Sequence, residues 1–94
     1  MTFEWDPSKA LANEHKHGIA FADATRAFDG PLLVTPSSRM GEERWLAVGR
    51  VHEVAIAVVF TVRGSRCRII SARRAHRREK ARFIEALGRA EADG

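Results

Sequence analysis

At 94 residues the chain has room for one modest core and not for two independent ones, so a single domain over residues 1–94 is expected. Hydrophobic residues at 45% and charged residues at 30% argue against a disordered chain, and no apolar run approaches the ~18–20 residues that span a bilayer. The net charge of +4 points to an anionic partner, and a single cysteine with no apolar signal region at the start leads us to expect a cytoplasmic protein without disulfides or a membrane.

Phe3-Glu4-Trp5 reads as a short strand. Asp6 is a good N-cap and Pro7 suits the first helical position, where its missing N–H costs nothing. A helix is expected from there through His17, stopped by Gly18, with Leu11, His15 and Ile19 on its apolar face at i, i+4, i+8. A second short helix, Phe21 to Phe28, ends at the turn Asp29-Gly30-Pro31. Leu32 to Pro36 reads as an edge strand because it runs into a proline, and Pro36 to Glu42 as a polar loop. Arg44 to His52 and Val54 to Val62 are strands joined by a tight turn at His52-Glu53, the latter with Val54, Ile56, Val58, Phe60 and Val62 on one face. Gly64-Ser65 makes the next turn, Cys67 to Arg73 the next strand, and Ala75 to Leu87 the last helix, with Phe83, Ile84 and Leu87 as its apolar stripe. The order β-α-α-β-β-β-β-α predicts an α+β fold in which an antiparallel sheet of about four strands packs with helices mostly on one face.

Charge is concentrated late in the chain. Between Arg63 and Arg82 nine basic residues stand against one acid, Glu79. That stretch carries +8, which leaves −4 on the other 74 residues of a +4 chain. Thirteen of the sixteen cations are arginine, whose planar fork suits phosphate and carboxylate better than the lysine point charge does. The pattern fits a polyanion or an acidic partner. The Gly64-Ser65 turn is expected to bring Arg63 towards Arg68 to Arg73, so that the guanidinium groups converge at one end of the sheet. Only Phe83 lies nearby as an aromatic, so base stacking has little support.

Glu79 is open to two readings: a structural ion pair, or a carboxylate that orients arginines or accepts a proton from a ribose 2′-hydroxyl. His15 reads as a packing residue, His17 as a position where the helix C-terminal dipole favours an imidazolium, and His52 and His76 as surface residues. No metal is expected, because the chain has neither His-x-x-x-His nor Cys-x-x-Cys spacing. No cofactor is expected either, as both a glycine-rich phosphate loop and a nucleophile elbow are missing. Cys67 reads as a core residue.

Phe3-Glu4-Trp5-Asp6-Pro7-Ser8-Lys9-Ala10, Asn13, Lys16-His17-Gly18-Ile19, Phe21 and Ala24 together resemble the N-terminal signature of the BrnT toxin family. Gly41-Glu42-Glu43-Arg44, Gly49, Arg63, then Arg68-Ile69-Ile70-Ser71-Ala72-Arg73 with Arg77, Arg78 and Glu79 resemble the rest of it in order, so the resemblance covers residues 3 to 85. It implies a toxin of a bacterial type II toxin–antitoxin module, with a fold similar to RelE and other small bacterial ribonucleases. Such a toxin cleaves RNA without a metal and arrests translation and growth. A BrnA antitoxin of the ribbon-helix-helix type is implied as partner, covering the basic surface, with operator DNA bound only through the complex.

On this resemblance Arg63, Arg68, Arg73 and Arg77 are the expected phosphate-contacting catalytic residues, with Glu79 as orienter or base. Lys16, His17, Arg74, Arg78 and Lys80 are expected to bind RNA. The family often carries a tyrosine in the last helix near the position of Phe83, and this chain has no tyrosine. The alternative is therefore a non-catalytic, degenerate module that binds nucleic acid or the antitoxin through the same surface.

Overall fold

Asp6 caps the first helix as its chemistry dictates: Oδ1 accepts the backbone N–H groups of Ser8 at 2.8 Å and Lys9 at 3.3 Å. The computed structural model describes residues 1–38 and 41–93; Arg39 and Met40, within the expected polar loop, lie outside the described residues. After β1 (Thr2–Glu4), helix α1 (Pro7–His17) ends at Gly18, whose φ of 72° is the left-handed conformation that glycine adopts without strain. Helix α2 (Phe21–Ala24) tightens into a 3-10 turn over Thr25–Asp29, so the helix expected through Phe28 changes pitch halfway. Four strands follow, β2 (Leu33–Pro36), β3 (Trp45–Val51), β4 (Val54–Arg63) and β5 (Arg66–Arg74), and then α3 (Arg77–Asp93). The expected order of elements is the observed one.

The five strands form one sheet in the order β1-β5-β4-β3-β2. The pairs from β2 to β5 are antiparallel, but β1 lies parallel to β5, with Phe3 opposite Cys67 and Glu4 opposite Arg68. The sheet is therefore mixed and five-stranded, not antiparallel with about four. Three residues of β1 carry too little pattern to announce a partner some sixty positions away. Because β1 pairs only with Arg66, Cys67 and Arg68, the outer edge of β5 beyond it has no strand to bond among the described residues. Asn13 of α1 takes that place: its amide donates to the Ala72 carbonyl at 2.8 Å and its Oδ1 accepts the Ala72 N–H at 3.1 Å. The same amide also donates to the Ile19 carbonyl at 3.0 Å.

Strand alternation divides the interior into two cores. Ile56, Val58 and Phe60 of β4 join Ala47, Cys67, Ile69 and Ala72 beneath Phe21, Ala24 and Ala27. Ala57 faces the other way and forms a smaller core with Val48 and Phe83, under α3. Helices thus cover both faces, where the sequence led us to expect them mostly on one. Ala57 belongs to the face of β4 with the smaller side chains, and its short side chain leaves room for Phe83. Gly49 serves the first core. A Cβ there would come within 2.7 Å of Leu32 Cδ2 and 3.3 Å of Ala27 Cβ, so the 3-10 turn sits directly on β3.

Two apolar stripes are displaced from expectation. Leu11 is 72% exposed and His15 is exposed, because Asn13, a polar residue, holds the buried position of α1. Ile84 is also exposed, while Phe83 and Leu87 pack against the sheet. In β5 the register steps from Phe60–Ile69 to Val59–Ser71, leaving Ile70 as an extra residue. That bulge lets Ile69 and Ala72 both enter the first core and turns Ile70 and Ser71 together to the opposite face.

Candidate functional site

Helix α3 covers its face of the sheet over β2, β3 and the middle of β4, through Leu33, Leu46, Val48 and Ala57. Over β5 the same face stays open. There Ser37, Arg44, Val59, Ile70, Ser71 and Arg73 line a cleft of about 310 Å³. The bulge supplies Ile70 and Ser71 side by side, and alternation brings Arg73 to the same face opposite Ala57.

Arg73 is held by a fork: Nη1 donates to Glu79 Oε1 at 2.7 Å and Nη2 to Oε2 at 2.9 Å. Glu79 is the third residue of α3 and also accepts the His76 backbone N–H at 2.7 Å, half of a capping box that fixes the carboxylate. The hydrogen bonds from Arg73 hold the Glu79 carboxyl at about 2, well below its ordinary 4.5, in spite of partial burial. The same bonds raise the Arg73 guanidinium above its ordinary value. Across the cleft, Arg44 donates through Nη2 (3.0 Å) and Nε (3.3 Å) to Glu42 Oε2. The segment carrying Arg44 is tied down in turn: Thr61 Oγ1 donates to the Glu43 carbonyl at 2.7 Å and the Ser37 N–H to the Arg44 carbonyl at 2.8 Å.

The arrangement is suited to anions. Two partly buried guanidinium groups, each positioned by its own carboxylate, flank two serine hydroxyls over an apolar floor of Val59 and Ile70. A carboxyl held at about 2 is a weak base near neutral pH, so Glu79 is chemically suited to orienting Arg73 rather than accepting a proton.

The structure brings only some of the expected residues together. Arg73 and Glu79 meet. Arg63 sits opposite Arg66 beside the Gly64 turn, about 20 Å along β4 from the Arg73 row at ~3.3 Å per residue, so the expected convergence of Arg63 with Arg73 does not occur. Arg68 shares the face of Arg73 but lies farther along β5, 3.5 Å from Glu4, which also lies 4.0 Å from Arg66. Arg77, Arg78 and Lys80 are exposed in the first turn of α3, and Lys16 is exposed on α1. Arg74, opposite Ile56, belongs to the other face of the sheet, where it lines a separate cleft with His17.

Sequence reasoning assigned no role to Arg44, Ser37 or Ser71. The one signal available was the Gly41-Glu42-Glu43-Arg44 block, which singles out Arg44 and neither serine. Cys67 is buried, and desolvation pushes its thiol up to about 11, so it is a core residue as expected. Phe83 is buried too, with the Arg50 guanidinium 5.6 Å above its ring. Among the described residues, no three of His, Cys, Asp and Glu gather as metal ligands would, and no helix is long and apolar enough to cross a membrane.

Residues 5–79 match a family described as "Ribonuclease toxin, BrnT, of type II toxin-antitoxin system". No curated protein matches the chain.

Proposed function

The chain belongs to the BrnT family of ribonuclease toxins from type II toxin–antitoxin systems, and on that footing we propose that it cuts RNA in the cleft between Arg44 and Arg73. Membership of such a system implies an antitoxin partner. The observation that supports the site is the pair of partly buried guanidinium groups, each fixed by its own carboxylate, facing one cleft with two hydroxyls. Donors already aimed at a phosphate need no reorganisation as negative charge builds in the transition state.

In this reading the RNA 2′-oxygen bonds to phosphorus while the bond to the 5′-oxygen breaks. Arg44 and Arg73 hold the non-bridging oxygens of the pentacovalent phosphate. Water takes the 2′-hydroxyl proton and returns one to the leaving 5′-oxygen, and the product strand ends in a 2′,3′-cyclic phosphate. No metal is used, because the two guanidinium groups supply the positive charge. Glu79 positions Arg73 and does not serve as the base. Arg68, Arg63, Arg77, Arg78 and Lys80 form a looser cationic approach that contacts phosphates outside the cleft.

The wider biology follows from the same reading: a RelE-like ribonuclease that arrests translation and growth in the cytoplasm. A ribbon-helix-helix antitoxin of the BrnA type would cover the open half of the sheet, and operator DNA would be met only through that complex. A second reading, capture of RNA without cutting, draws on one observation: the carboxylate against Arg73 is a weak base, and buried Phe83 brings no hydroxyl. One assay separates the two. RNA fragments ending in 2′,3′-cyclic phosphate, formed in the presence of a chelator and absent with Arg73→Ala, support cutting; saturable RNA binding without fragments supports capture.

A further inference from the structure

Behind the sheet from the Arg44–Arg73 cleft lies a larger one, of about 370 Å³, which the cutting reaction does not use. Four elements meet there: His17 from the end of α1, Asp23 from α2, His52 from the β3–β4 turn, and Arg74 from the end of β5. Its floor is apolar, made by Val51, Val54 and Ile56 with Ile19. A volume in this range is that of a small-molecule site.

The turn that carries His52 is built at a cost. His52 and Glu53 have φ of 50° and 69°, the left-handed region in which Asn-Gly is the usual hairpin pair. Strain of this kind persists where surrounding contacts hold it, and here Arg26 does so, with Nη1 3.0 Å from His52 Nε2. A guanidinium only donates, so Nε2 accepts and the imidazole proton sits on Nδ1. His52 is thereby a fixed donor at the rim of the cleft.

We propose that this cleft binds a nucleoside monophosphate. The phosphate is held by Arg74 and the imidazoles of His17 and His52, the base lies against Val51, Val54 and Ile56, and Asp23 accepts a hydrogen bond from a ribose hydroxyl or a base amine. The mixture of groups carries the choice of ligand. A bare phosphate has no use for the apolar floor and is repelled by Asp23, whereas an apolar carboxylate leaves most of the donors unmatched. The ligand is either a free nucleotide or the 5′-phosphorylated end of an RNA; both present the same chemistry. The site is separate from the cutting cleft, although Arg73 Nη1 lies 3.3 Å from the Arg74 carbonyl.

The test titrates the full chain with adenosine 5′-monophosphate, adenosine and inorganic phosphate, followed by NMR. The nucleotide is expected to shift the signals of His17, Asp23, His52 and Arg74, and to bind roughly tenfold more tightly than adenosine or phosphate. Arg26→Ala combined with His52→Asn, which keeps a residue tolerant of the left-handed turn, should weaken nucleotide binding by roughly tenfold with the melting temperature preserved. Arg73→Ala should leave that binding unchanged, so failure of this site and failure of the cutting site are read separately. Displacement of the nucleotide by a short RNA bearing a 5′-phosphate, and not by its 5′-hydroxyl form, identifies an RNA end as the source. Lack of displacement by either identifies a free nucleotide. Absence of nucleotide binding at millimolar concentration, phosphate binding as tightly as the nucleotide, or shifts confined to Arg44 and Arg73 would each overturn the proposal.

Discussion

Arg73 and Arg74 are consecutive on β5, and the strand sends them to opposite faces of the sheet. Arg73 is one quarter exposed and bound through both terminal nitrogens to Glu79, with its charge reinforced by that bond. Arg74 is exposed at the rim of the wider cleft and offers its backbone carbonyl to Arg73. Equal charge at adjacent positions therefore yields one preorganised donor and one freely solvated cation. Of the nine cations between Arg63 and Arg82, Arg73 is the one with a two-point carboxylate partner among the described residues. Preorganisation, more than the number of positive charges, separates a candidate catalytic group from an approach surface.

The contrast can be broken most severely at Arg73 itself. Arg73→Ala should lower RNA cleavage by about 10²–10³-fold, the usual effect of removing one preorganised donor, while Arg74→Ala should leave the rate nearly unchanged. Single-turnover cleavage of a labelled RNA checks both variants side by side. Next in size is Asn13→Ala. It strips the open edge of β5 of its partner at Ala72, immediately before Arg73, and should cost about 2–4 kcal/mol of stability, measured by urea unfolding.

Glu79 sharpens the comparison through pH. Its folded value of about 2 lies below the ordinary 4.5, so its ionised form stabilises the fold above pH 4.5 and that contribution is lost as pH falls towards 2. Partial exposure of the pair, with side chains 25% and 20% accessible, reduces the contribution to about 2 kcal/mol. Glu79→Gln should flatten the unfolding midpoint over that acid range; an unchanged profile would remove Glu79 as the anchor of Arg73. The smallest effect is expected from Arg63→Ala: a few-fold weaker RNA binding, with the salt slope reduced by about one.

Much of the fold could be read from residues whose local chemistry has one solution. Asp6-Pro7 starts a helix, Gly18 ends it, and the alternation from Val54 to Phe60 marks a buried strand. The parallel pairing of the edge strand and the face of the sheet that the last helix takes were not legible. Each depends on contacts between distant segments: β1 on Cys67 and its neighbours, α3 on the space left by Ala57. For the site, the cationic stretch and Glu79 stood out in sequence, but the geometry did not. A one-residue bulge at Ile70 decides which side chains share a face, and no composition or period announces it. Arg44 was hidden for a similar reason, since the turn-rich segment that carries it reaches Arg73 only across the sheet.

The most direct measurement compares RNA cleavage by the wild type, Arg44→Ala, Arg73→Ala and Arg63→Ala in the presence of a chelator. Cleavage that persists in the wild type and in Arg63→Ala, and is lost in both Arg44→Ala and Arg73→Ala, is the result expected of a metal-free site between the two buttressed arginines. Cleavage abolished by Arg63→Ala and retained in Arg73→Ala would contradict it and move the reaction to the far end of the hairpin.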